Sequence, residues 1–431
     1  MSERHTFHII TLGCRTNQYE SQSLRESWIS RGLKECADPA EADLILINSC
    51  AVTAKAVRDT GQAARRAARE SPCARIIIAG CASQVVGEKL AKSNPGAQIV
   101  PQSQKAGLAD FQFGRERKNR FPTFRVSGSE RSRAVVKIQD GCSHGCSYCI
   151  VPKTRGRSVS REPAEAVAEV RRLFEAGYAE VVISGINLRH YGRDLGPEID
   201  LWDLINMMES ELAGQWSGRA RIRLSSLDPA QLGSKALDVL GGTKLVCPHL
   251  HLSLQSLSPK ILEAMNRGHY NFDKIMEFLS QLYDVWPVYG LGADFIAGFP
   301  GETEEDHLMT LDAIRAMPLT YAHVFPYSRR PGTVAASVPG QVDKAGAKSR
   351  ALALRDLATG KRREFLKKLS TLKQVNVVIE SESPARGICE YYARCTLPDK
   401  TPNHECGVIY PARPVSTGED GLIAEPLSES A

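Results

Sequence analysis

Short apolar runs alternate with helix-length segments along most of this chain, and that alternation restricts the fold more than any other feature. In the first hundred residues the runs are 7–12, 44–47 and 76–79, and helical patterns occupy 18–31, 54–70 and 83–92. This succession predicts a parallel sheet with helices on its faces. Such sheets bind ligands beyond the carboxyl ends of their strands. Cys14 follows the first run, Cys50 the second and Cys81 the third, at separations of 36 and 31 residues. One cysteine at a strand end is usually a small buried hydrophobe. Three at equivalent ends read as a shared ligand site.

The alternation resumes at 134. Further runs lie at 134–138, 181–183, 222–224, 250–254, 291–296 and 322–325, with helical patterns between them such as 163–176. Six βα units are too few for an eight-stranded barrel. They predict an open, partial one with its site at the carboxyl ends of the strands. The first of these strands leads into Asp-Gly-Cys-Ser-His-Gly-Cys-Ser-Tyr-Cys, where Cys142, Cys146 and Cys149 have the spacing C-x3-C-x2-C. An odd cluster is not a disulfide framework, and clustered thiolates in a reducing compartment are more often metal ligands or redox groups. Three is one short of the four cysteines that usually close an iron–sulfur cluster, which leaves one position open for chemistry.

Between these parts, 114–133 is rich in Arg and Lys around Phe121, Pro122 and Phe124. It reads as a linker: either a solvated connector or a basic strip touching phosphates, with two rings to stack on bases. The stretch 341–373 reads as a basic helix packed on the barrel, with Arg350, Arg355, Lys361, Arg362, Arg363, Lys367 and Lys368. After it, β-like runs at 375–379, 388–392 and 407–410 predict a small β-domain of barrel type. The expected units are 1–113, 114–133, 134–373 and 374–431. The net charge of +6 permits a nucleic-acid partner without requiring one. No 18-residue apolar run and no signal-like leader is visible, so the chain is expected in the cytoplasm with no membrane contact.

C-x3-C-x2-C with Tyr148 before its last cysteine resembles the radical S-adenosylmethionine (SAM) enzymes. The resemblance implies a 4Fe–4S cluster on Cys142, Cys146 and Cys149 whose open iron binds SAM. One-electron cleavage then gives a radical that takes hydrogen from an unactivated C–H bond. No acid–base pair does this, because such hydrogens are not acidic at any accessible pKa. The cofactor carries the difficult step, and the protein positions it. Ser184, Gly185 and Asn187 are similar to the family's segment at the methionyl amino group. Ser253 and Gln255 resemble its ribose and carboxylate contacts. Asp294, Ile296 and Gly298 resemble its adenine-contacting stretch. Arg267 matches a Met-x-Arg element, with a salt bridge as the other reading.

The scattered triplet narrows the resemblance to the methylthiotransferases, over almost the whole chain. The fold implied is α/β: an N-terminal doubly wound parallel-sheet domain, a central partial (β/α)6 radical-SAM barrel and a small C-terminal TRAM-like β-barrel. The resemblance also implies a second 4Fe–4S cluster on Cys14, Cys50 and Cys81, holding the sulfur to be inserted. It implies RNA binding by the last domain, with Tyr391 and Tyr392 able to stack on bases. The segment 11–21 (TLGCRTNQYES) resembles the subgroup acting on threonylcarbamoyladenosine in tRNA. The isopentenyladenosine branch typically has Gln-Met after the cysteine and the ribosomal-protein branch Pro-Lys, and both usually have Asp where Tyr19 stands. Arg330 aligns with the arginine before the family's Pro-Gly-Thr. The function implied is conversion of N6-threonylcarbamoyladenosine at tRNA position 37 to its 2-methylthio form. The substrate is an anticodon loop, and the reaction needs an electron donor such as flavodoxin or ferredoxin and a sulfur source. The alternatives are the isopentenyladenosine substrate, a ribosomal protein aspartate, or an RNA-binding iron–sulfur redox sensor without catalysis. Cys389, Cys395, His404 and Cys406 fit no clean zinc spacing. With Cys36, Cys73 and Cys247 they are expected to be structural.

Overall fold

The computed structural model describes residues 6–111, 120–122, 124–129, 131–398, 405–419 and 421–427. Residues 114–119 of the basic linker, and His404, lie outside the described residues. No helix among the described residues is long and apolar enough to cross a membrane.

The N-terminal strands are β1 (Thr6–Thr11), β2 (Lys34–Glu35), β3 (Leu44–Ser49), β4 (Arg75–Gly80) and β5 (Gln98–Pro101), with helices α1 (Arg15–Ser30), α2 (Ala54–Glu70) and α3 (Cys81–Ser93). All five strands are parallel, in the order β2-β1-β3-β4-β5. The connections therefore reverse between β1 and β3, which opens a crevice at their carboxyl ends. Side chains of a strand alternate between its faces. Ile45, Ile47, Ile76 and Ile78 pack with Ala64, Ala67 and Leu90 of α2 and α3. Phe7, Ile9, Leu44, Leu46 and Ile77 pack with Leu24 and Trp28 of α1, in a core that continues into the next unit. Burial on both faces is why these strands read as unbroken apolar runs.

The central unit comprises β6 (Ala134–Asp140), α4 (Val151–Arg155), β7 (Val159–Ser160), α5 (Pro163–Glu175), β8 (Glu180–Gly185), α6 (Leu201–Trp216), β9 (Arg221–Leu224), β10 (Ser226–Leu227), α7 (Ser234–Gly242), β11 (His249–Gln255), α8 (Pro259–Ala264), α9 (Phe272–Val285), β12 (Gly290–Ala297), α10 (Glu304–Ala316) and β13 (Tyr321–Pro326). Two sheets, β7-β6-β8-β9 and β10-β11-β12-β13, form an open barrel, bridged between Ile222 and Val246. Val136, Ile138, Val181, Ile183, Leu250, Leu252, Leu291 and Phe295 belong to the core shared with the first sheet. Alternate positions on these strands carry buried or half-buried polar side chains, among them Lys137, Gln139, Glu180, Arg221, Arg223, His249, His251 and Asp294.

The linker departs from its expected role. Phe124 is 3% exposed, and the Lys137 ammonium lies 5.5 Å from the centroids of both Phe121 and Phe124. These rings cover an internal cation and are not presented for stacking on bases. Helix α11 (Lys344–Leu369) packs on β13 and α10 as expected. Three of its cations are used internally, while Arg363, Lys367 and Lys368 stay exposed. Arg350 pairs with Glu302 at 3.0 Å, and Arg355 and Lys361 donate to the carbonyls of Val324 and Met317.

Strands β14 (Val375–Glu382), β15 (Ala385–Cys389), β16 (Arg394–Thr396), β17 (Ile409–Thr417) and β18 (Leu422–Pro426) close a small barrel. Cys389 and Cys395 fill its core. Its β15–β16 turn plugs the amino end of the larger barrel, because its partners are the first residues of successive lumen strands. Arg221 donates to the carbonyls of Ile388 and Asn376, and Arg223 to those of Cys389 and Glu390. Tyr392 stacks on His249 at 4.7 Å and lies beside Tyr321. Tyr391 packs against the small barrel's own core. The expectation that Tyr392 stacks on RNA bases is therefore corrected, because its ring is used to seat one barrel on the other, while Tyr391 is half-buried on the small barrel.

Candidate active site

Cys142, Cys146 and Cys149 occupy the loop from β6 to α4, at the carboxyl end of the lumen. Backbone bonds fix the loop from both sides. Cys142 N donates to Gly156 O at 3.0 Å, and Ser147 N to Met265 O at 3.1 Å. The Asn187 amide donates to Cys142 Sγ at 3.5 Å and Arg267 Nη1 to Cys146 Sγ at 3.8 Å. Burial, with its neighbouring thiols, pushes the Cys149 thiol up to about 12. A thiolate there needs a positive centre beside it, which is the condition a metal cluster meets. Tyr148 packs with Met265, Phe299 and Ala335.

The residues expected around SAM lie in the later parts of three strands or just beyond them: Ser184 and Gly185 end β8 with Asn187 after it, Ser253 and Gln255 are on β11, and Asp294, Ile296 and Gly298 are on and after β12. Their local uses differ. Gln139 Oε1 accepts from the backbone N–H groups of Ile186 and Asn187. A Cβ on Gly185 would meet Gln139 Cβ at 3.0 Å and Leu188 at 2.8 Å, and one on Gly298 would meet Ala347 of α11 at 2.3 Å. Both glycines thus serve packing. Gln255 sits at a bulge with φ +66°. Arg267 makes the salt bridge of its second reading, with Nη2 3.2 Å from Asp228 and 2.6 Å from Ser253 O.

The scattered triplet gathers at the crevice between β1 and β3. Cys14 caps α1, Cys50 follows β3 and Cys81 opens α3. Gly13 has φ +104°, and a Cβ there would lie 2.6 Å from Cys50 Cβ. A side chain is excluded on both counts. Burial pushes the Cys50 thiol up to about 11, with Cys14 and Cys81 near enough to add to the shift. Two helix N-termini face the group and favour anionic sulfur. Ile150, next to Cys149, packs in one apolar cluster with Cys81 and Ala82. One apolar cluster thus includes a residue next to each triplet's site. All six thiols are free of disulfides.

One constellation escaped sequence reading. His251 Nε2 and His323 Nδ1 lie 3.0 and 3.3 Å from Asp294 Oδ1 in the lumen. Tyr321 OH is 2.9 Å from both His249 Nε2 and His251 Nδ1. Burial pushes the Asp294 carboxyl up, but the two imidazoles outweigh it and hold it below the usual range. The available signal was the alternation His-Leu-His-Leu-Ser in an otherwise apolar strand. From the N-terminal side, Arg15 Nη2 reaches Tyr392 OH at 3.0 Å.

Two family models match this chain: the Radical SAM superfamily over residues 136–314 and the Uncharacterized protein family UPF0004 over 6–101. A solved radical S-adenosylmethionine methyltransferase, TsrM from Kitasatospora setae, shares the fold with a TM-score of 0.55 at 15% identity over 77% of each chain. An open barrel with this cysteine loop at its mouth defines a radical SAM enzyme, whose chemistry uses SAM and a 4Fe–4S cluster. The threonylcarbamoyladenosine tRNA methylthiotransferase of Chlamydia pneumoniae is 34% identical over 97% of this chain and 98% of its own. The one of Bacillus subtilis is 33% identical over 78% and 76%. The tRNA-2-methylthio-N(6)-dimethylallyladenosine synthase of Sphingopyxis alaskensis is 30% identical over 98% of each. The chain belongs to the radical SAM tRNA methylthiotransferases.

Proposed function

We propose that this enzyme converts N6-threonylcarbamoyladenosine at position 37 of tRNA to its 2-methylthio derivative with two 4Fe–4S clusters. Cys142, Cys146 and Cys149 hold the cluster that binds SAM, and Cys14, Cys50 and Cys81 hold the second. The observation that carries this reading is that Ile150, next to Cys149, belongs to the same apolar cluster as Cys81. A sulfur presented by one triplet can then reach a carbon activated at the other. When bound, the first cluster and SAM supply the hydrogen-abstracting radical. The protein's own part is to hold and orient. Asn187 and Arg267 donate to cluster sulfurs and favour their anionic form. Ser184, Gly185, Asn187, Ser253, Gln255, Asp294, Ile296 and Gly298, with Tyr148, form the wall against which SAM lies. The lumen is closed below by the C-terminal barrel, which keeps bulk water out. Units 1–113, 134–373 and 374–431 work together across linker 114–133. A flavodoxin- or ferredoxin-type donor and a separate sulfur source complete the cytoplasmic reaction.

The choice of substrate rests on the chain's likeness to the threonylcarbamoyladenosine enzymes and on Arg15. Its guanidinium enters the lumen beside Tyr392 and offers a cation to the threonyl carboxylate, a group that dimethylallyladenosine lacks. Mass spectrometry of tRNA nucleosides from cells lacking and then regaining the gene tests it. The 2-methylthio-threonylcarbamoyl nucleoside is expected to vanish and return; loss of the dimethylallyl product instead would overturn the substrate reading. Cys146→Ala is expected to abolish 5′-deoxyadenosine formation. Cys50→Ala is expected to keep it and lose methylthiolation, and product at normal yield from this variant would refute the second cluster's role. Absence of 5′-deoxyadenosine from the parent under anaerobic reduction with SAM would favour a redox sensor.

A further inference from the structure

Five ionised side chains are buried together between the N-terminal sheet and the central barrel. Glu20 Oε1 pairs with Lys137 at 2.6 Å and with Arg155 at 2.8 Å, and Glu20 Oε2 pairs with Lys105. Asp140 pairs with Lys137 at 2.5 Å and with Arg155 at 2.9 Å. All five side chains are at most 6% exposed. Three cations against two anions leave a surplus of one positive charge. A buried charge without a counter-charge is costly, so the surplus calls for an anion close by.

The network's contacts run toward Cys50 and Cys81. Lys105 Nζ donates to Asn48 Oδ1 at 3.1 Å, and that oxygen stands 2.9 Å from where a Cβ on Gly80, the neighbour of Cys81, would be. Arg155 Nη2 donates to Asn17 Oδ1 at 2.8 Å. The Asn17 amide in turn holds the carbonyls of Leu12 and Ser49, which precede Gly13 and Cys50. Arg155 and Lys105 both interact electrostatically with Cys81, and Arg155 also with Cys50. A further cation, Arg330, is 6% exposed, its Nε has no partner among the described residues, and it interacts with Cys50.

We propose that the Glu20–Lys105–Lys137–Asp140–Arg155 network is the counter-charge of the group held by Cys14, Cys50 and Cys81, and that its surplus positive charge raises that group's reduction potential. The inference rests on the second-cluster reading above. A doubly positive 4Fe–4S core on three thiolates is a net monoanion, and reduction adds one more negative charge. A fixed buried cation therefore stabilises the reduced form more than the oxidised one. Lys105, Glu20 and Asp140 act here as positioning and tuning residues and touch no substrate.

The test uses the full chain with Cys142, Cys146 and Cys149 all changed to Ala, loaded anaerobically with iron and sulfide. Iron content and electron paramagnetic resonance are followed in a potential titration. About four irons per chain are expected. Lys105→Met, which cancels the surplus, is expected to lower the reduced-to-oxidised ratio at fixed potential about tenfold, equivalent to ~59 mV for one electron. Lys105→Met with Glu20→Gln restores the surplus and is expected to return the ratio to within about threefold of the parent. Asp140→Asn, which enlarges the surplus, is expected to raise it, and this holds the test even where Lys105→Met does not fold. Normal iron with unmoved ratios, or no recovery in the double variant, would overturn the counter-charge. Absence of iron from the parent would remove the second-cluster reading and this inference with it.

Discussion

Tyr19 stands where related branches carry Asp, yet it is 2% exposed and lies on the side of α1 away from the lumen cysteines. Its hydroxyl is 2.8 Å from both Phe124 O and Glu169 Oε1, and Arg161 donates to it. Its distinctiveness is thus a matter of docking the linker and α5 on α1. Tyr19→Phe is expected to cost about 1–3 kcal/mol in urea unfolding, because buried acceptors lose their donor, while 5′-deoxyadenosine formation per folded molecule is unchanged. Full stability with lost tRNA modification would make Tyr19 a substrate contact. Gly13→Ala is expected to behave differently. The added methyl meets Cys50 at a backbone angle that side chains avoid, so about half of the iron should be lost while SAM cleavage persists. Iron analysis beside 5′-deoxyadenosine assay checks this. The cysteines themselves were legible because strand ends are legible. The partners of Tyr19 were not, since Glu169 and Phe124 lie more than a hundred residues away and no local pattern joins them.

At the scale of elements, charged residues inside apolar strands proved the least readable feature. Residues 222–224 read as an apolar run, yet Arg223 is wholly buried in it. Arg221 and Arg223 both converge on Glu180 at 2.7 Å. A strand face turned into a polar lumen tolerates such charges once they are paired. Periodicity does not reveal the pairing. Strand β2 was missed for another reason: its two residues are polar and exposed, and only the backbone of β1 defines it. The seam around Glu180 has a pH signature. Burial pushes its carboxyl up, but Arg223, Arg221 and Arg133 outweigh burial and hold it well below the usual range. A depressed carboxyl stabilises the fold above its unfolded value of about 4.3 and loses that contribution as pH falls through the folded value. Amide exchange at residues 388–390 is therefore expected to rise, relative to the helices, as pH drops below about 4. Equal acceleration everywhere would show that the seam does not open first.

For the whole molecule, the three-part architecture was legible because each part has its own strand spacing. The way the parts lock was not. The C-terminal barrel reads from sequence as an appended unit, and in the structure it also caps buried arginines of the larger barrel. Deleting residues 374–431 is expected to lower the melting temperature by about 6–12 °C, from a loss of roughly 3–5 kcal/mol when buried ionic groups lose partners. SAM cleavage should weaken along with tRNA binding. A truncated chain that melts like the parent would restore the picture of an independent appendage. The core shared by the first sheet and the barrel also bears on how the enzyme is made. A ribosome adding about 5–20 residues per second needs roughly 10–40 s to pass from the end of the first sheet's unit to β13. Throughout that interval the core that the first sheet shares with the barrel is incomplete, and Cys50 and Cys81 await a finished central unit to hold Ile150 in the cluster that includes Cys81. The thiols translated first are the last to be sheltered, so oxidative damage during synthesis should fall on them before it reaches Cys142, Cys146 or Cys149.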